Sequence, residues 1–485
     1  MQEFPTTAVT ARPKMPRSIP FILGSDFSER LSYFGMRSIL SIFLVTRFFN
    51  PHGIDGLTVE ANARSNAYTH AFSTLVYFTP LLGAILADWF FGKYRVILIG
   101  SIIYTFGHLV LSIFNHSLPG FTAGLIIIGL AAGGIKSCVP ANVGDQFDHT
   151  NSALISRGYG WFYFCVNAGS TFSIILIPVI LKDYGAAWAF GVPGIMMALA
   201  AITFFAGNKR YTKAPPTGIN KDNFLTINGF VLSKTFANNS GKTAWQAAEE
   251  RFGAKKVDAI QAIWRVMAVF AFIPIFWGMW DMSQSEWALQ ATKLDLDLGI
   301  FGIRVLPAQV QSANGIFVLL LIPVFSYVIY PLVEKTGIKV TPLRKIGAGL
   351  FVTAFSFVVI ASLEDRIRLG LHPSVWWQIL AYLLLTASEI MVVVTGLEYA
   401  YTQSPPSMKS TMTAIWFFTY SVGTSFTTYV NASIASHGAF RNFTGARYFW
   451  FFVGIMLGFA ILFVIVSPFF REKSYLADEQ ALADW

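Results

Sequence analysis

Apolar runs long enough to cross a lipid bilayer recur from Ile19 to Phe469, separated by short polar stretches. A helix of about 20 apolar residues spans the hydrocarbon core, and its backbone hydrogen bonds close within the segment, as lipid requires. Of the 485 residues, 54% are hydrophobic and 13% charged, which leaves too little charge to cover a water-facing surface. The mean hydropathy of +0.55 agrees. The reading is an all-α membrane protein with about twelve transmembrane helices.

The spans fall at 19–48, 64–88, 94–115, 121–142, 158–181, 186–206, 264–289, 309–333, 342–363, 374–400, 408–434 and 445–469. Pro80, Pro178, Pro193 and Pro274 lie within or near them and are expected to supply bends. Three regions follow: a first six-helix half at 1–206, a linker at 207–263, and a second six-helix half at 264–485. Within the linker, "TAWQAAEERFGAKKVDAIQAIW" reads as an amphipathic helix leading into the seventh span. Two halves of six helices suit the major facilitator fold, in which they rock about a site at mid-membrane.

An even number of spans places both tails on one side. Arg12, Lys14, Arg17, Lys93, Arg95, Lys335, Lys339, Arg344, Lys345, Lys409, Arg471 and Lys473 collect in the tails and alternate loops. That side is expected to be cytoplasmic, since the opposite loops hold fewer cations, such as Lys182, Arg366 and Arg368. The net charge of +9 is thus a topology signal, not a mark of nucleic-acid binding. The polar start "MQEFPTTAVTARPKMPR" has no apolar leader, so the first span is expected to direct insertion into the plasma (inner) membrane. Cys138 and Cys165 sit in apolar segments and read as small core residues, with no metal site. The chain has no P-loop and no nucleophile–base motif, which argues against an enzyme and against ATP-driven transport.

Ionisable side chains inside the membrane are costly, so they face a cavity and have partners. The stretch "SDFSERLSYFGMR" (25–37) holds four of them. Asp26, Arg30, Tyr33 and Arg37 step by four, three and four, which puts them on one helix face with Glu29 beside them. Snorkelling to a helix end is the bland alternative, but Glu29 and Arg30 lie about 15 Å from the nearer end. Arg37 and Asp281 match in depth in opposite halves and are expected to pair as an extracellular gate. Lys136 comes within reach of Glu29. Glu389 sits near the middle of the tenth span, with Glu398 a separate group. His70, in the outer half of the second span, is either a neutral core histidine or a group that titrates near neutral pH. Arg30 and Lys136 are suited to a carboxylate and Glu389 to an ammonium, so the cavity suits a zwitterion. The aromatic residues Tyr33, Tyr77, Trp277 and Trp416 are expected near the same depths.

"SDFSERLSYFGMR" resembles the ExxER[F/L]xYYG signature of the proton-coupled oligopeptide transporters, a branch of the major facilitator superfamily. "GAILADWFFGKYR" (83–95) is similar to the superfamily's loop between spans two and three. "GGIKSCVPANVGDQF" (133–147) and "FYFCVNAGS" (162–170) look like the family's two PTR2 signatures. "FWGMWDMSQSEWALQA" (276–291), "QSANGIF" (311–317) and "SEIMVVVTGLEYAYTQSPPSMKS" (388–410) extend the likeness in order along the chain.

The resemblance implies a symporter that imports di- and tripeptides by alternating access, with protons as the coupling ion, no cofactor, and function as a monomer. It implies proton coupling through Asp26, Glu29, Arg30, His70, Lys136 and Asp281, and a gate of Arg37 with Asp281. It assigns the peptide carboxylate to Arg30 and Lys136, and the peptide amino terminus to Asn167, Asn314 and Glu389. Side-chain pocket positions are Tyr33, Phe34, Tyr77, Trp277 and Trp416. Three residues depart from the pattern. Asp26 is one methylene shorter than the usual Glu, Phe34 replaces a Tyr, and Glu286 stands where animal members carry an Arg, so that Arg's gate contact is absent. The alternatives are a family relative carrying nitrate or another small anion, which Glu389 disfavours, and a non-transporting peptide sensor.

Overall fold

The structure, a computed structural model, describes residues 14–470 apart from 51–56, 148–150, 152–153, 214, 217, 219–223, 237–242, 300–301 and 404–408. Arg12, Arg471 and Lys473 lie outside the described residues. The first half consists of α1 (Ile19–Leu44), α2 (Val59–Ile85), α3 (Lys93–Ile113), α4 (Leu118–Gly144), α5 (Ile155–Tyr184) and α6 (Ala186–Ala206). The linker holds α7 (Phe224–Phe236) and α8 (Ala244–Phe252); α9 (Ala254–Phe270) begins there and runs past residue 264 into the bundle. The second half continues with α10 (Ile273–Met282), α11 (Glu286–Ala291), α12 (Ser312–Val324), α13 (Tyr330–Lys335) and α14 (Pro342–Arg368). It closes with α15 (Trp376–Glu389), α16 (Thr395–Thr402), α17 (Lys409–Ala435) and α18 (Ala446–Val466).

Among the described residues, nine helices are long and apolar enough to cross a membrane, or ten if Ala254–Phe270 and Ile273–Ala291, which meet at a 51° bend, form one broken span. Helices α1 and α17 have the length but are more polar: α1 carries its four charges, and α17 is rich in Ser and Thr. Counted with them, the described residues hold as many long helical segments as the twelve spans expected. The amphipathic linker helix is broken at Gly253, whose φ of 89° only glycine adopts freely. Thr243 caps α8 reciprocally with Gln246, a capping box that fixes the start of the helix.

Each half has its own buried apolar core, built around Phe43, Tyr104, Phe121 and Phe190 in the first and Phe276, Trp287, Phe357 and Tyr382 in the second. Large apolar side chains such as Ile102, Phe106, Ile202 and Ile465 are exposed, as lipid-facing positions require. The halves meet where α2 packs on α17, α5 on α12 and α1 on α11. Within the second half, α10 and α17 touch at backbone distance: a Cβ on Gly423 would lie 2.0 Å from the Pro274 carbonyl oxygen. Pro80, Pro178 and Pro193 lie inside helices, while Pro274 opens α10 after the break that bends the seventh span. π-helical turns at Val45–Phe49 and Leu86–Phe91 end two other spans, and those at Phe325–Ile329 and Ile390–Val394 interrupt two more. Such turns let local backbone bonds shift, and the last follows Glu389 directly. Below, "linker end" denotes the end of the bundle that carries the 207–263 segment, and "far end" the opposite one.

Candidate functional site

At the far end, side chains from three helices, α1, α2 and α17, converge on Asp281 of α10. Arg37 Nη2 of α1 lies 3.1 Å from Asp281 Oδ1, and both side chains are buried. The same oxygen accepts from Ser73 at 3.1 Å and from the Tyr420 hydroxyl at 2.7 Å. Asp281 Oδ2 is 2.6 Å from His70 Nδ1. The other ring nitrogen, Nε2, is 2.8 Å from Oε1 of Glu286. Glu286 also accepts from Tyr448 at 2.8 Å, from Asn431 at 3.2 Å and from the Ser285 hydroxyl. Arg37 reaches the Gln284 carbonyl at 3.2 Å, and Ser41 reaches that of Ser285 at 3.5 Å. These bonds tie α1 and α2 of one half to the broken α10–α11 segment of the other. Around the break at 283–285, main-chain carbonyls accept from side chains of other helices: Gln284 from Arg37, Ser285 from Ser41 and Ser283 from Tyr382.

Toward the linker end, α1 presents a second cluster. Arg30 Nη2 is 3.5 Å from Asp26 Oδ1, and Arg30 Nε is 3.4 Å from Glu29 Oε2. Lys136 Nζ of α4 approaches Glu29 Oε1 to 4.0 Å. Asp26, Glu29 and Lys136 are buried, and Arg30 keeps a small exposed fraction. Among the described residues, both Glu29 oxygens, Asp26 Oδ2 and Arg30 Nε have no hydrogen-bond partner. Asp26, with its shorter side chain, pairs with Arg30 of its own helix.

An aromatic chain joins this cluster to the other half. Lys136 Nζ sits 4.0 Å from the Tyr33 ring centroid and 5.4 Å from that of Tyr77, positions that favour a cation. Tyr77 stacks on Tyr420 at 3.7 Å, and Tyr420 contacts Trp277 at 4.7 Å. Trp277 in turn meets Trp416 at 5.7 Å and Trp280 at 5.8 Å. Trp280 Nε1 then donates to Glu389 Oε2 at 3.0 Å, which also accepts from Asn314 at 2.8 Å. Cationic and anionic groups thus stand at opposite ends of one aromatic wall that crosses between the halves. Phe34 packs edge-on against Tyr33 at 5.1 Å, within the first half's core. The Asn167 amide donates to the Tyr163 carbonyl of its own helix at 2.9 Å, so it is not joined to Asn314 and Glu389 here. Glu398 is half-exposed and faces Lys345 at 3.9 Å, apart from Glu389.

Two residues of the site did not follow from the sequence. Trp280 reads as one more apolar residue, yet its indole N–H is a ligand of Glu389. Glu286 reads as the loss of an Arg, whereas the structure gives it the second face of the His70 ring. A signal for Glu286 was present: a carboxylate in "SQSEWALQA" between apolar runs, five residues after Asp281.

The chain matches PTR2, the POT family, over residues 94–451. It is 36% identical over 369 residues to solute carrier family 15 member 2 of Danio rerio, covering 72% of this chain and 50% of that protein. Against the Homo sapiens protein of that name it is 35% identical over 404 residues, covering 79% and 54%. The chain therefore spans about half the length of these curated relatives. The in meso crystal structure of the POT family transporter PepTSo superimposes with a TM-score of 0.86 at 34% identity, covering 94% of this chain and 99% of that one. A crystal structure of an auto-inhibited POT family peptide transporter gives 0.86 at 31% identity, covering 95% and 98%. By family match, identity and fold together, this chain belongs to the POT family.

Proposed function

We propose that this chain is a proton-coupled symporter that imports di- and tripeptides across the plasma membrane by alternating access, with the linker end in the cytoplasm. The observation that supports this reading is a pair of opposite poles: Arg30 and Lys136 at one end of the aromatic wall, Glu389 with Asn314 and Trp280 at the other. A zwitterion with its charges separated by a short backbone fits such a site. Extended chains span about 7 Å for two residues and about 10 Å for three. Much of the affinity then comes from the peptide ends, leaving side-chain choice loose. A small anion would gain nothing from Glu389 and would be repelled by it.

In this mechanism, protons reaching His70 and Asp281 from outside neutralise the carboxylate that holds Arg37, and the far end opens. The peptide amine settles on Glu389 and Asn314, with Asn167 turning in from its own helix. The peptide carboxylate takes Arg30 and Lys136 from Glu29. Closing of the halves exposes the site to the cytoplasm, and a proton leaves from Glu29 or Asp26. The membrane potential favours inward movement by about 2.3 kcal/mol per charge per 100 mV. Protons are the coupling ion, no other cofactor takes part, and one chain suffices.

Uptake of labelled dialanine into proteoliposomes tests this, with and without an inward proton gradient and a negative interior. Accumulation that collapses with a protonophore, and is lost in Glu389→Ala, is the expected result. Absence of uptake by folded protein would overturn the reading, and labelled nitrate in the same vesicles would then decide for the anion alternative.

A further inference from the structure

The far-end cluster does not stop at His70. Glu286 lines a cavity of about 130 Å³ between the halves, whose lining also includes Asn62, Asn66, Gln290, Lys293 and Asn431. Lys293 is partly exposed, so this vestibule reaches the surface. Asn62, Asn66 and His70 follow one another at four-residue steps on α2 and so share one face leading inward. The Oδ1 atoms of Asn62 and Asn66 are buried without a partner in the protein, and Asn66 is only 5% exposed. Buried amide acceptors in a roomy polar cavity take their donors from water. Glu286 and Gln290 stand one turn apart on α11 and face the same cavity. A polar ladder thus runs from the far-end surface to the outer face of the His70 ring.

The contacts at His70 fix a minimum proton count. Nε2 lies 2.8 Å from Glu286 Oε1 and Nδ1 lies 2.6 Å from Asp281 Oδ2. Each of these contacts needs a proton between its atoms, and a neutral imidazole supplies one. The second proton is on the ring or on a carboxyl. With two protons and the Arg37 cation, the buried cluster is electrically neutral, which is what burial demands. The other ionisable groups around the triad are Arg37 and Tyr420 on Asp281, Tyr448 on Glu286, and Lys293 with Glu364 across the vestibule. Asp281 is held by a full cation. Glu286 is held, besides His70, by the neutral donors Ser285, Asn431 and Tyr448.

We infer that Glu286 is where the proton arrives from the far-end vestibule, and that it passes through the His70 ring to Asp281. The step moves two protons one place each. The Oε1–H bond of Glu286 breaks as Nε2–H forms; the Nδ1–H bond breaks as an Oδ2–H bond forms on Asp281. Glu286 becomes a carboxylate, Asp281 a neutral acid, and the ring exchanges tautomers, with the triad's charge unchanged. Hydronium in the vestibule reloads Glu286. Glu286 is therefore a proton-relay residue on the outer side of the gate, filling a position where the family resemblance led us to expect only a missing Arg.

This rests on the transport reading above, and two measurements keep the two apart. Dialanine uptake is followed in proteoliposomes at fixed internal pH while external pH is varied. Glu286→Gln is expected to lower gradient-driven uptake by about tenfold or more and to flatten its dependence on external pH, with counterflow at equal pH slowed less; Glu286→Asp restores part of the slope. Wild-type uptake and slope in Glu286→Gln, or loss by one factor at every pH and in counterflow, overturns the relay. Should Glu286→Gln fail to fold, Asn66→Leu, which closes the ladder and leaves the triad intact, is read in the same way: a flattened slope is expected, and a wild-type slope overturns the inference. Infrared difference spectra need no peptide: external acidification is expected to raise a protonated-carboxyl band that Glu286→Gln lacks. Identical spectra for wild type and variant overturn the relay even where no peptide is carried.

Discussion

Helix α1 contributes to two ion clusters, and they differ in how completely their polar atoms are used. Around Asp281, contacts run from 2.6 to 3.1 Å, and both carboxylate oxygens have partners drawn from α1, α2 and α17. Around Glu29, the ion contacts run from 3.4 to 4.0 Å, and both carboxylate oxygens lack hydrogen bonds. A buried ion pair offsets its desolvation only with close geometry and with its remaining polar atoms satisfied. The far-end cluster meets that condition, and in the proposed mechanism it is the latch. The linker-end cluster falls short of it, and in the same proposal a proton or a substrate carboxylate relieves the shortfall. On that reading one helix carries a contact built to hold and a contact built to be replaced.

The sharpest way to break this contrast is to remove one acid from each cluster. Asp281→Ala strands Arg37 and one face of His70 without a counter-charge, and removing one partner of a buried pair costs about 3–5 kcal/mol. Asp26→Ala leaves Arg30 still facing Glu29 and removes only a 3.5 Å contact, so it should cost less than Asp281→Ala. Chemical unfolding of the two variants in one detergent gives both values. Equal costs would mean that the two clusters do not differ in kind. Next in size is the effect of Glu29→Gln on coupling. Gradient-driven accumulation of dialanine should fall by about a hundredfold, while counterflow, which needs no net proton movement, persists. Proton-driven uptake at the wild-type rate would remove Glu29 from the coupling path.

The sequence made one of these clusters far more legible than the other. The Asp26–Arg37 stripe lies on a single helix, so a stride of four, three and four residues was enough to place its members on one face. Arg37 and Asp281 could be matched by depth, because each lies within a helix whose rise is known. Glu286 lies beyond the break at Ser283–Ser285, where depth counted along a helix loses its meaning. Its partners His70, Asn431 and Tyr448 are 216, 145 and 162 residues away in sequence, and only the packing of α2, α17 and α18 brings them together. Trp280 was hidden differently. Its bulk belongs to the core, and its single N–H becomes informative only once α15 brings Glu389 to it. Most of the long helices were readable because hydropathy is a local property. The 51° bend and the π-helical turn after Glu389 were not, because both depend on the neighbouring helices.

The latch can also be loosened without touching a charge. Gly423 lets α17 lie against α10, and a methyl there would stand 2.0 Å from the Pro274 oxygen. Gly423→Ala should therefore cost about 1–3 kcal/mol by overpacking and push Tyr420, three residues earlier on α17, away from Asp281. Gly454→Ala, with nothing within 4 Å of the added methyl, is the control and should unfold like the wild type. Equal unfolding curves for the two would show that α10 and α17 are free to separate without loss.

The smallest change with a clear reading is Tyr420→Phe. It deletes the hydroxyl that donates to Asp281 Oδ1 at 2.7 Å and leaves the ring stacked on Tyr77 at 3.7 Å. Arg37 and Ser73 still reach that oxygen, so the carboxylate is not abandoned. One hydrogen bond to a charged group in this setting is worth about 1–2 kcal/mol, which should raise the population of the opened far end roughly 5–30-fold. Labelling of Thr74→Cys by a membrane-impermeant maleimide reads that population, since Thr74 lies one turn inward of His70 on α2 and meets Thr424 of the other half. Tyr33→Phe, whose ring holds Lys136 at 4.0 Å in the other cluster, should leave the labelling rate unchanged. If Tyr420→Phe labelled no faster than wild type, the full set of donors on Asp281 would not be what holds the halves together, and the difference between the clusters would be one of geometry without mechanical consequence.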